Sequence, residues 1–290
     1  MLQWKTWSRA RAAAALVLAL GCLPSATALA QRPAPAPARP PETRAVQIDY
    51  HVHVIGLKTF TIESMLRVDG DRYQFDVTLR NEGLLRALTA SFEGRNRATG
   101  GVGPTAPRPE SGYSGMAIDK FQRTWLVAYR GDGSFEEKHT NYDQPTELLV
   151  PDEQKRGSFD PATAIMVGLL KSTAPCDRTV PVFDSKRRFD VTITRIRTEP
   201  LPGTRVPGMT GDALLCEARL KKIAGYGNEN PKDDATGEEP IRVWLGQLDD
   251  SGRWYPVRVT FATGWGTLTA RIQTLVNREL TSEDRKAMGR

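Results

Sequence analysis

The sequence predicts a mainly β protein: a single curled antiparallel sheet or open barrel, laid out as a meander, with one buried helix. Three observations predict it. Apolar and polar residues alternate with a period of two over long stretches, the mark of strands with one buried face. Turn motifs separate those stretches: Asp69-Gly70-Asp71, Asn81-Glu82-Gly83, Gly131-Asp132-Gly133 and Asp249-Asp250-Ser251-Gly252. One segment alone, Pro161–Lys171, carries a strong helical signature. About ten strands joined by short turns must run antiparallel, because parallel neighbours need long crossovers. With 39% hydrophobic and 26% charged residues in 290, collagen, coiled coil and wholesale disorder are excluded.

The elements follow in chain order. Residues 1–30 begin with Lys5, Arg9 and Arg11, continue through the apolar run Ala12–Leu20 and end on Ala28-Leu29-Ala30. Basic start, short apolar run and small-residue exit read as a secretory signal peptide cut after Ala30. The run is too short to span a bilayer. Lipoprotein processing at Cys22 is the less favoured alternative, because Ala19 stands where such a signal usually has Leu. Residues 31–45 form a Pro/Ala-rich linker, with five prolines among the eleven residues from Gln31 to Pro41. The folded domain is expected over residues 46–276. In it Val46, Ile48, Tyr50, Val52 and Val54 alternate with polar residues, as do Tyr73–Leu79, Leu214–Leu220 and Tyr255–Phe261. Shorter strands are expected at Phe60–Leu66, Leu88–Phe92, Trp125–Tyr129, Phe189–Ile193, Ile241–Leu245 and Leu268–Ile272. Asp160 is suited to cap the helix and Pro161 to open it. Apolar residues nearly all round that helix place it inside the curl of the sheet. Arg95–Ser111 and Gly225–Glu239 read as loops. Residues 277–290 form a polar tail that frays or folds into a short surface helix.

Charge and cysteine usage describe the compartment and the partners. The balance of 40 basic against 34 acidic residues falls to 37 against 34 once the leader is removed. That mild charge, together with export, argues against nucleic acid as a partner. No other segment is long and apolar enough to span a membrane, so a periplasmic protein is expected. Cys176 and Cys216 are then the remaining thiols, and in an oxidising compartment they should form a disulfide. A metal pair or a catalytic thiol competes with that reading, but there is no CxxC spacing and no neighbouring His to support either.

Four blocks carry a resemblance. They are Asp160-Pro161-Ala162-Thr163-Ala164, the stretch Pro175–Asp190, Leu215-Cys216-Glu217-Ala218-Arg219 with Ile223–Tyr226, and Val243–Leu245 with Trp254–Val259. In order and spacing they resemble the bacterial envelope family of domain of unknown function 3108, over roughly residues 46–276. Ser185 departs from the Gly usual there, and the His51-X-His53 pair is not a feature of the family. The resemblance implies an envelope location and a half-barrel loosely like those of periplasmic lipoprotein carriers. It implies no chemistry.

The candidate sites are few. Lys186, Arg187 and Arg188 stand at a hairpin turn and could grip a phosphate or carboxylate headgroup. The same block reads as a solvated turn partly neutralised by Asp184 and Asp190. Trp244 and Trp254 could line the mouth of a cavity. His51 and His53, two apart on a strand, can converge on a metal, or they belong to a polar strand face. Gly112-Tyr113-Ser114-Gly115-Met116 misses the nucleophile elbow because Met replaces its last Gly. Gly100-Gly101-Val102-Gly103 lacks the rest of a phosphate-binding loop. Both read as turns. Two functions survive: a non-catalytic envelope protein holding a lipid-like ligand or serving an assembly partner, with no cofactor, and a metal-dependent hydrolase built on His51 and His53. Either the helix fills the curled sheet or a cavity remains for a ligand.

Overall fold

A computed structural model describes residues 42–103, 106–141, 148–170, 175–200, 211–227, 239–247, 252–263 and 266–289. The expected signal peptide and most of the expected Pro/Ala-rich linker lie outside the described residues, as does most of the expected loop Gly225–Glu239. The first half of the chain supplies β1 (Glu42–Val54), β2 (Leu57–Gly70), β3 (Arg72–Asn81), α1 (Gly83–Leu88), β4 (Phe92–Gly101), β5 (Arg108–Ile118), β6 (Phe121–Tyr129) and β7 (Phe135–Thr140). Two helices follow, α2 (Asp152–Lys155) and α3 (Pro161–Leu170). The second half supplies β8 (Arg178–Phe183), β9 (Arg188–Glu199), β10 (Ala213–Ala224), β11 (Ile241–Gln247), β12 (Trp254–Thr263), β13 (Gly266–Arg278) and α4 (Ser282–Ala287).

All thirteen strands belong to one antiparallel sheet of order β7-β6-β5-β4-β3-β2-β1-β13-β12-β11-β10-β9-β8. Two meanders, β1–β7 and β8–β13, are thus sewn together where β13 pairs with β1. The sheet is not closed by a ladder: β7 and β8 are its edges. Side chains bridge those edges instead. The Phe183 ring of β8 stacks on Phe135 of β7 at 5.9 Å and meets Trp125 of β6 edge-on at 5.6 Å.

The alternation seen in the sequence is what fills the main core. Val46, Leu66, Phe75 and Ala98 stand opposite one another across β1–β4, and none is more than 4% exposed. The next residue in that row is Gly112 of β5. A Cβ there would come within 2.8 Å of the Asp160 carboxylate, so glycine lets the start of α3 sit directly on the strand. Asp160 caps α3 as expected: Oδ1 accepts the N–H groups of Ala162 and Thr163 at 3.0 and 3.1 Å. Its Oδ2 accepts the hydroxyls of Thr163 and Tyr129 at 2.5 and 2.9 Å.

Several boundaries differ from the expectations. β1 starts at Glu42, and Arg44 and Ala45 are already buried, so the folded region begins inside the stretch read as linker. Leu88–Phe92 is not a strand: α1 ends there, and Asn81 spans the connection with bonds to the Ala90 carbonyl and the Phe92 N–H. The loop expected at Arg95–Ser111 is mostly strand, as is Gly112–Met116. The first of those strands, β4, was hidden because its outer face is charged. Arg97 pairs with Asp76 of β3, and Arg80 of β3 with Glu93 at 2.8 Å. Beyond β13 the polar tail folds as α4 with a capping box between Thr281 and Asp284, docked through Arg67. Among the described residues no helix is long and apolar enough to cross a membrane.

Candidate functional site

β10 and β11 are buried on both faces, and that produces a second apolar surface. Ala213, Leu215 and Trp244 join the main core, while Leu214, Cys216, Val243 and Leu245 form a separate cluster, as strand alternation requires. On that second face lies a groove of about 350 Å³. The β8–β9 ladder lines it with two opposed pairs, Val180–Val191 and Val182–Phe189, together with Ile193. Trp254 and Pro256 of β12 continue the wall, and Pro161, Ala164 and Ile165 of α3 close it. Every lining side chain is apolar. The volume is at the lower end of ligand pockets, which run from about 300 to 1,000 Å³.

α3 therefore serves two surfaces. Ala162 and Met166 are 1% and 0% exposed in the main core, whereas Ile165 faces the groove and stays 48% exposed. The expectation of a helix buried all round holds for the first face and fails for the second, because no described strand covers Ile165. The Cys176–Cys216 disulfide is formed, with Cα atoms 6.4 Å apart, and its Cys216 end is part of the groove wall.

The other residues singled out from the sequence do not gather there. Lys186 and Arg187 lie in the β8–β9 turn, which Asp184 organises by accepting both of their backbone N–H groups at 3.0 and 2.7 Å. The Arg187 guanidinium stacks over Tyr226 at 5.5 Å. Arg188 projects from the face opposite Phe189, where it binds Asp190 at 2.7 Å and the Gln154 carbonyl at 3.1 Å. The guanidinium groups of Arg187 and Arg188 thus go to different partners instead of converging. Trp254 lines the groove, but Trp244 is on the core side, 8% exposed, with its indole N–H on Glu199 at 2.7 Å and Arg258 stacked over its ring at 4.8 Å.

His51 borders a polar depression of about 440 Å³ with Asp49, Glu63 and Asp76. Burial, with Lys58 and His53 nearby, holds the His51 imidazole below its usual pKa; burial raises the Asp49 carboxyl. The rings of His51 and His53 lie 6.4 Å apart, edge to face. His139 stands six strands away along the sheet, paired with Glu137 at 3.3 Å. Among the described residues no three His, Cys, Asp or Glu side chains could hold a metal ion, so the hydrolase reading has no assembled centre.

Sequence reasoning missed Arg178. It is the residue opposite Ile193 on the groove face of the β8–β9 ladder, and its signal was a lone cation in phase with Val180 and Val182.

No curated protein and no solved structure matches this chain. A family match covers residues 47–273, which takes in the whole sheet apart from its first and last few residues and includes every wall of the groove. The chain therefore belongs to the family described as "Protein of unknown function (DUF3108)".

Proposed function

We propose that this is an exported, non-catalytic envelope protein whose groove holds the apolar tail of a lipid-like molecule. The observation that carries the reading is a groove of about 350 Å³ with a wholly apolar lining, beside a helix that leaves Ile165 half exposed to it. Apolar surface left open to water is unfavourable by roughly 25 cal/mol per Å², and an apolar tail would remove that cost. The volume suits one alkyl chain better than a whole multi-chain lipid. Export is supported by the leader sequence and agrees with a disulfide, which persists in oxidising compartments.

An uncharged fluorescent alkyl probe tests the groove. Saturable binding should be seen, and Ile165→Glu should weaken it while leaving the unfolding midpoint in place, because the side chain is already half in water. Failure of every alkyl probe to saturate would overturn the reading. Export is checked by N-terminal sequencing of protein recovered from the envelope: a start at Gln31 is expected, whereas a retained Met1 or a lipid-modified Cys22 would contradict it.

A further inference from the structure

The β8–β9 ladder presents three opposed pairs to the groove side: Val182 with Phe189, Val180 with Val191, and Arg178 with Ile193. Five of those six side chains are apolar and line the groove; the sixth, Arg178, is not part of the lining but stands beside two lining residues, opposite Ile193 and bonded to Pro175. Arg178 is fixed there by donating to the carbonyl of Val167 in α3 at 2.8 Å and to that of Pro175, itself a groove residue. Its Nε–H, shut away from water, has no acceptor among the described residues. Among the described residues no carboxylate forms an ion pair with it. Asp177, its neighbour in sequence, is exposed and accepts the backbone N–H of Arg195 at 2.9 Å.

Capping the last turn of α3 accounts for one of these hydrogen bonds, the one to Val167. It does not account for a partly buried charge with no counter-charge, which is costly to leave unpaired. Burial alone pulls the guanidinium below its usual pKa, with no acid acting in the opposite direction.

We propose that Arg178 anchors the anionic head of the groove's ligand, which makes that ligand a single-chain anionic amphiphile: an alkyl tail ending in a carboxylate or a phosphate. This deepens the reading of the groove as a lipid-like site and rests on it. It also moves the head from the Lys186–Arg188 turn to the opposite end of the same ladder. Four steps along the strand separate Arg178 from Val182, the last groove-facing residue of β8, about 13 Å at 3.3 Å per residue, so a tail lying along the ladder spans the apolar pairs with its head on Arg178.

Paired titrations of the purified protein with dodecanoate and with dodecanol test this. The wild-type protein should bind dodecanoate about tenfold more tightly, the worth of one charge-assisted hydrogen bond. Arg178→Gln should abolish that preference while dodecanol affinity stays unchanged, a ratio that a purely structural arginine would not move. Equal binding of the two by the wild-type protein overturns the anionic head and leaves the groove reading standing. If neither binds, the groove reading fails and takes this proposal with it. Acetate or inorganic phosphate displacing dodecanoate at comparable concentration would show a free-anion site and overturn the amphiphile. Should Arg178→Gln not fold, Arg178→Lys decides. A weaker but retained preference supports the fork-shaped contact of arginine, and an unchanged preference overturns it.

Discussion

Met166 and Ile165 are neighbours on one helix with opposite fates. Met166 is completely buried between α3 and the strands that carry Tyr73 and Ala98, and Ile165, one residue earlier, is 48% exposed over the β8–β9 ladder. The same contrast runs through β10 and β11, where one face joins the main core and the other lines the groove. An apolar face becomes core only if another element covers it. In the first half of the sheet α3 is that element; over β8 it packs Val167 on Val180 and Val182, which are buried, but leaves Ile165 half exposed at the groove.

The contrast can be broken from either side. The largest effect is expected at the filled face: Met166→Ala should lower stability by about 2–5 kcal/mol. Ile165→Ala should stay within about 1 kcal/mol and act on ligand binding instead. Denaturant unfolding measures both, and equal losses would erase the distinction between the two surfaces. Cys176→Ser comes next. The bridge spans 40 residues and should contribute about 4 kcal/mol in the chain-entropy account; reductant should reproduce the loss in the wild-type protein and weaken binding with it. Gly112→Ala probes the seat of α3. Its new methyl group would sit 2.8 Å from both Asp160 and Val127, and the strain should cost about 1–3 kcal/mol.

Asp284 gives a smaller, pH-dependent effect that sharpens the comparison because it lies far from the groove. Arg278 chiefly, with the Thr281 N–H and hydroxyl and Arg67, holds its carboxyl well below the usual range. A depressed carboxylate stabilises the fold above its unfolded pKa, about 3.9, and that contribution is lost as pH falls through the folded value. Asp284→Ala should cost about 1 kcal/mol at neutral pH, as for a lost helix cap. The difference from wild type should shrink on acidification below about pH 4, followed by melts across pH. The smallest effect is expected from Lys186→Ala with Arg187→Ala. These residues sit at the turn end of the ladder, and dodecanoate affinity should not change.

Alternation, turn chemistry and one capped helix were enough to read an antiparallel β fold, because strand periodicity is local and each turn or cap is a short-range interaction. Asp160 capping α3 follows from such a signal; the Cys176–Cys216 bridge was read by elimination, as the two thiols outside the expected leader. The strands at Phe92–Gly101 and Arg108–Ile118 were illegible for the same reason inverted: Glu93 and Arg97 of the first are paired with Arg80 and Asp76 of β3, and Glu110 of the second with Arg72 of β3, partners that no local window contains. The groove was beyond the sequence altogether. Val180, Val243 and Ile165 have the same chemistry as the residues of the main core, and whether such a face ends up covered depends on where α3 lands. Only the tertiary structure decided that Arg178, and not the denser cluster at Lys186–Arg188, stands beside the apolar groove, because charge density is a property of the chain while proximity to a groove is a property of the fold.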